Sequence, residues 1–364
     1  MIQNVLRKIG FLSAFLLPVL LVLGFYSGGP FIWSVHLFVF ILIPVMDYVL
    51  AKDQSNVPKS LVSQVSQERF YKWVTFGWVY VQYLMLFWSL YVVTFYPLSA
   101  GEWTALATGL ALITGGIGIT VAHELGHKSD PLEQFYSKAI LLTVTYQHFY
   151  IEHNRGHHVR VATPEDPATS RFGENFYAFW WRSVSQGYLS AWHLERERLV
   201  KKKLNPWSFS NQMLVFHLTS LFFVLGLFFG FSWLAERWVW EVPVFFGIQS
   251  VLAFSLLEAV NYLEHYGMER KKLPNGRYEQ VTALHSWNAS EMVSNFFLFQ
   301  LQRHSDHHWY AAKRYQVLDH HPQSPQLPAG YSAMILVAMV PPLWFSIMNP
   351  LLSRWRNAQM EDLV

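Results

Sequence analysis

Residues 103–128 read WTALATGLALITGGIGITVAHELGHK. The stretch 103–122 carries no charge and is long enough to cross a bilayer core as a helix. It runs straight into His123 and His127, which sit four positions apart and so share a helical face. A span that hands over directly to two potential metal ligands poses the question for the whole chain.

The pattern recurs on both sides. Five further apolar stretches have spanning length, at 9–26, 31–50, 73–96, 213–235 and 239–262. Ser27-Gly28-Gly29-Pro30 turns the first pair into a hairpin, residues 96–101 (YPLSAG) turn the second, and Glu236 with Arg237 marks the tip of the third. Arg7 and Lys8 ahead of the first run resemble the start of a signal peptide, but the run is long and lacks a small-residue cleavage site, so a retained span is expected. Stretches 136–150, 175–192 and 331–348 are shorter or interrupted, and are expected to pack on the bundle or lie in the interface. Pro341-Pro342 argues against a straight span in the last of these.

Composition agrees. Of 364 residues, 52% are hydrophobic and 14% charged, roughly half the charged share of a soluble protein. The net charge of +3 is mild, and no basic patch alternates with exposed aromatics as nucleic-acid binding requires. The sixteen tryptophans and eighteen tyrosines suit a protein with two bilayer interfaces. With no cysteine, the chain has no disulfide, iron–sulfur cluster or thiolate-bound metal of its own. With the N-terminus in the cytoplasm, Arg237 alone of 27 Lys and Arg residues lies in an outer turn, as the positive-inside rule favours. The expectation is an all-α membrane protein forming one domain, 1–364. Six transmembrane helices would carry a histidine-rich cap on the cytoplasmic side, in segments 123–212 and 263–364.

That topology, which made no use of histidine, gathers nine histidines on the same side. They are His123 and His127; His153, His157 and His158; His265; and His304, His307 and His308. Each multi-histidine cluster is expected to aim its rings at one point. One metal ion cannot use nine imidazoles, whereas two can. Without a cation these rings would repel when charged and lack partners when neutral. The alternative is a set of hydrogen-bonding or pH-titrating histidines at a polar interface. All-nitrogen ligation is compatible with iron, zinc, copper or nickel. An apolar bundle around two metals suggests oxygen chemistry on an apolar substrate, which favours iron.

His123-Glu124-Leu125-Gly126-His127 also fits the H-E-x-x-H pattern of zinc proteases. One zinc would leave about six clustered histidines unexplained, and the chain lacks the Asp-Gly dipeptide of the intramembrane type. A metal transporter would need polar residues through the bilayer, where Asp47 and Glu258 are the main charges.

The strings HELGHK (123–128), EHNRGHH (152–158), NYLEHYG (261–267) and LQRHSDHH (301–308), with TPEDPATSR (163–171) and HSWN (285–288), resemble the integral-membrane alkane 1-monooxygenases. The wider histidine-box pattern is shared with membrane fatty-acid desaturases and hydroxylases. The resemblance runs to about residue 331. It implies six transmembrane helices in the bacterial cytoplasmic (inner) membrane and a nonhaem diiron centre with all nine histidines as iron ligands. It implies terminal hydroxylation of n-alkanes with dioxygen, and electrons from rubredoxin reduced by an NAD(P)H-dependent reductase. A xylene-type aryl-methyl monooxygenase and a fatty-acid hydroxylase or desaturase are the nearest alternatives.

Carboxylates beside the ligands are candidates to hold the rings in place. These are Glu124, Glu152, Glu264 and Asp306, with Asp166 in the TPEDPATSR string. Glu258 is a further candidate because it is ionisable within a span. His285 in HSWN is another possible orienting group. His36 and His217 read as helix–helix hydrogen-bonding residues, and His148, His193, His320 and His321 as ordinary histidines. The basic run Arg196, Arg198 and Lys201 to Lys203 fits anionic lipid or an acidic electron carrier.

Overall fold

The computed structural model describes residues 2–361, with side chains described for 7–359. Among the described residues the chain is all-helical, apart from the isolated bridges Lys272↔Tyr278 and Asn288↔Gln326. Six helices are long and apolar enough to cross a membrane: Arg7–Ser27, Gly29–Val49, Arg69–Phe95, Ala100–Gly126, Gln212–Leu234 and Glu241–His265. The fourth and sixth run a turn further than their apolar content indicates. His123 and His265 therefore lie within these helices rather than beyond them. Backbone hydrogen bonding, once nucleated, propagates into residues that hydropathy alone would exclude.

The fourth span is the axis of the molecule. In its most apolar window 89% of residues are buried, against 17% in the second span and 22% in the fifth. A capping box opens it: the Ser99 side chain accepts from the Glu102 N–H, and Glu102 accepts from the Ser99 N–H. Its glycines permit close packing. A Cβ at Gly115 would collide with the backbone of Ala253 on the sixth span, as small residues at membrane-helix crossings allow. Buried amides tie the neighbours in. Gln82 donates to Thr143 Oγ1 at 2.7 Å, and Gln249 donates to the Thr143 carbonyl at 2.9 Å.

Between the fourth and fifth spans lie the helix Pro131–Leu142, the ligand-bearing turns 149–160 and the long helix Phe176–Lys201. After the sixth span, short helices Met292–Phe297 and His304–Trp309 close over the same end of the bundle. Tyr331–Ala338 and the helix starting at Pro341 meet at 119°, the break coming just before the proline pair. Asp47, one of the two main charges in the spans, caps this assembly. It accepts from the Val293 and Ser294 N–H groups, each at 3.1 Å, and from the Ser294 hydroxyl. Buried Arg303 donates to the carbonyls of Leu318 (2.7 Å), Ser55 (3.0 Å) and Asp53 (3.1 Å), pinning the loop after the second span beneath the cap.

Three π-helical segments interrupt the helices, at Phe38–Leu42, Leu112–Ile119 and His153–His157. Such turns are frequent at functional sites. The first two help to line a cavity and the third carries metal-ligand candidates.

The Gly115 crossing is testable. Gly115→Val should destabilise the bundle by roughly 1–3 kcal/mol through overpacking. Gly116→Ala, where a Cβ meets nothing within 4 Å, should be tolerated. Thermal midpoints of the two variants in detergent should separate accordingly.

Candidate metal centre

The nine histidines form two groups. His123, His127, His153, His158 and His307 make one, and His157, His265, His304 and His308 the other. Within each group the potential ligand atoms all lie within 4.8 Å of one another. The sequence clusters do not map onto these groups, which corrects the expectation that each cluster aims at one point. The adjacent pairs His157-His158 and His307-His308 each divide between the two groups. Successive helical residues diverge by about 100°, so neighbours in sequence cannot face one site. His304 and His308 stay together at four-residue spacing. His153 and His158 are five apart and meet because the π turn between them has a five-residue repeat.

The two helix ends contribute first: His123 and His127 from the fourth span to the five-histidine group, His265 from the sixth to the four-histidine group. Ring nitrogens face one another: His127 and His153 Nε2 at 3.0 Å, His153 and His158 at 3.0 Å, His158 and His307 at 3.2 Å. In the other group, His157 faces His308 and His265 faces His304, each at 3.2 Å. Burial, reinforced by neighbouring rings, holds His127, His153, His158, His304, His307 and His308 well below the ordinary imidazole value. They are neutral lone-pair donors. His123 Nε2 is buried with no hydrogen-bond partner at all. Converging ring nitrogens with an orphan among them fit a pair of metal cations.

The carboxylates are placed unequally. Asp166 Oδ2 lies 2.8 Å from Nδ1 of His157, behind the ring, and accepts from Thr169 at 2.6 Å. Burial would raise its carboxyl, but His157 and Thr169 hold it below the usual range. Such a carboxylate fixes the tautomer and orientation of a ligand ring. Glu264 lies on the opposite side. Its Oε2 is 3.1 Å from His304 Nε2, the nitrogen that faces His265, while its Oε1 accepts from Tyr331 at 2.8 Å. Its carboxylate oxygen is thus offered beside the ligand atoms. Glu124 pairs with Lys128 at 3.0 Å and Glu152 with Arg160 at 2.7 Å. Asp306 receives Lys313 at 2.7 Å and His321 at 2.8 Å. His285 pairs with Glu279 at 3.3 Å. Glu258 accepts from Tyr146 at 2.9 Å and Ser183 at 2.6 Å. Tyr331, Tyr146 and Ser183 carry no local motif, and only long-range folding brings them to these carboxylates.

An apolar cavity of about 880 Å³, its mouth included, ends on the centre. His123 and His153 of one group, His304 of the other, and Glu264 form its polar end; Leu17, Val39, Ile43, Ile117 and Leu257 are among its walls.

A family model described as fatty acid desaturase matches residues 99–336, and the chain belongs to that family. Alkane 1-monooxygenase 2 of Pseudomonas aeruginosa is 42% identical over 322 residues, 87% of this chain and 83% of the relative. Alkane 1-monooxygenase 2 of Alcanivorax borkumensis is 37% identical over 368 residues, 98% and 94% of the two chains. The xylene/toluene monooxygenase hydroxylase component of Pseudomonas putida is 26% identical over 358 residues, 94% and 89% of the two. Within the family, then, the chain belongs with the alkane 1-monooxygenases, and it is an oxidoreductase.

The division of ligands predicts a specific loss. His265→Ala should empty the four-histidine group alone, so that mass-spectrometric metal content falls from two ions per chain to one. A fall to zero, or no fall, would contradict two separable sites.

Proposed function

We propose that the protein hydroxylates the terminal carbon of medium- to long-chain n-alkanes to primary alcohols. It would use dioxygen and electrons from reduced rubredoxin, itself reduced by an NAD(P)H-dependent reductase. The observation that carries this reading is an apolar cavity ending directly on two groups of converging histidines.

His123, His127, His153, His158 and His307 would hold one iron, and His157, His265, His304 and His308 the other, with Glu264 an additional oxygen donor beside the second. The irons, when bound, supply dioxygen activation and the oxidation of a C–H bond. The protein's part is to place the carbon and exclude competing reactions. A methyl C–H bond is stronger than an internal one, so selectivity for the chain end must come from geometry. A cavity closed by ligands at one end admits a chain end-on and holds its last carbon nearest the centre. None of the lining residues is Lys or Arg, so a substrate carboxylate or phosphate would find no cationic partner there. This favours a plain hydrocarbon over a fatty acyl substrate. The chain's lack of cysteine leaves the one-electron carrier to a separate protein. The positive-inside distribution of Lys and Arg supports a bacterial inner-membrane protein with the N-terminus and metal centre on the cytoplasmic side.

Purified protein loaded with iron, given octane, dioxygen, rubredoxin, its reductase and NADH, should yield 1-octanol by gas chromatography. Turnover of methyl-arenes or acyl chains without 1-octanol would overturn the assignment. The cavity wall makes a second prediction. Gly116 lines the cavity, and a Cβ there meets nothing within 4 Å. Gly116→Leu should shorten the longest alkane accepted, with rates on long chains falling roughly tenfold or more while short chains are spared.

A further inference from the structure

The apolar cavity accounts for the substrate but leaves protons without a route. Alkane hydroxylation balances as R–CH3 + O2 + 2 e− + 2 H+ → R–CH2OH + H2O, with electrons from a one-electron carrier. The C–H bond is cleaved, a C–O bond forms, and the second oxygen leaves as water. Both protons must come from the aqueous side. The substrate cavity is a poor conductor of them because its walls, away from the polar end, are mainly apolar.

A second, smaller cavity also reaches the ligands, sharing Phe149, His153 and Asn261 with the first. Its walls include His153 and His157, one from each group, and Glu258, Asn261 and Ser183. Glu258 is a buried carboxylate on the sixth span, bonded by Tyr146 (2.9 Å), Ser183 (2.6 Å) and Asn261 (3.5 Å). Tyr146 and His148 line this cavity and also a wider open groove between the helices Phe176–Lys201 and Gln212–Leu234. There Tyr188 bonds His217 Nε2 at 2.8 Å. The His148 ring lies between those of Tyr146 (4.3 Å) and Tyr188 (5.4 Å). The titratable groups around the inner cavity are Tyr146, His148, Glu152, His153, His157 and Glu258 itself. A buried acid is costly in an apolar bundle and is kept here by three donors, yet nothing in ligand binding or substrate shape uses it.

We propose that Glu258 is the proton-relay residue of the oxygenase. Protons enter at the groove beside Tyr188 and His217, pass by His148 and Tyr146 to the Glu258 carboxyl, and reach the centre through the inner cavity. Alkane and protons thus use different cavities, which share Phe149, His153 and Asn261 as walls. This inference rests on the oxygenase reading above, and its test separates the two. Glu258→Gln should keep two irons per chain and bind alkane as the parent does. It should lose at least tenfold in 1-alkanol formation, with a raised solvent deuterium isotope effect that Glu258→Asp partly restores.

A readout independent of turnover is the infrared C=O band of the proton-carrying Glu258 carboxyl, identified as the band that disappears in Glu258→Gln. In D2O it should exchange quickly in the intact protein and slowly in Ser185→Trp, which plugs the groove. Should Glu258→Gln fail to fold, Tyr146→Phe takes its place and should slow the same exchange. A band that does not exchange within a turnover overturns the relay, as does a Glu258→Gln enzyme with parental rate and isotope effect. If the parent makes no alkanol, the oxygenase reading falls, while band exchange still decides whether the path conducts.

Discussion

Nine imidazoles pressed together, seven of them buried and two half-buried, are the constraint on which this structure depends. Within each group the potential ligand atoms lie within 4.8 Å of one another. Neutral rings cannot satisfy one another in such an array, and charged ones would repel in a low-dielectric interior. A cation bound in each group would resolve the conflict. The surrounding protein is what holds the rings there: the central fourth span, the cap pinned by Asp47 and Arg303, and Asp166 behind His157.

Helix geometry turns that constraint into two sites instead of one. Adjacent histidines point apart, so each His-His doublet straddles the divide and links the groups through a single peptide bond. The π turn at His153–His157 then returns His158 to the side of His153. The two positions are therefore fixed relative to each other by covalent chain and not by loops that could drift. A rigid pair of sites at the polar end of an apolar cavity suits chemistry in which reach, rather than bond strength, selects the carbon attacked.

Polarity is sorted around the centre. The side reached through Leu17, Val39 and Ile117 is apolar, while the side reached through Glu258, Ser183 and Tyr146 is hydrogen-bonded. Glu264 and Tyr331 sit where the apolar cavity meets the ligands. Burial of these carboxylates is tolerated because each has donors aimed at it.

The sequence by itself determined the six spans, the nine histidines and their collection at one end of the bundle. Hydropathy and helical spacing are local, and a twenty-residue apolar run leaves the backbone no alternative to a helix in lipid. It also singled out Asp166, Glu258 and Glu264, because an acid beside a ligand or within a span is conspicuous. Only the tertiary structure decided which histidine serves which group, that Glu264 faces the ligand atoms while Asp166 stands behind a ring, and that Asp47 is a cap. It alone decided that Gly115 meets a neighbouring backbone while Gly116 faces open space. These outcomes depend on the rotational phase of each helix and on where two helices cross. Phase and crossing are set by packing between residues more than a hundred positions apart, which no window of sequence contains.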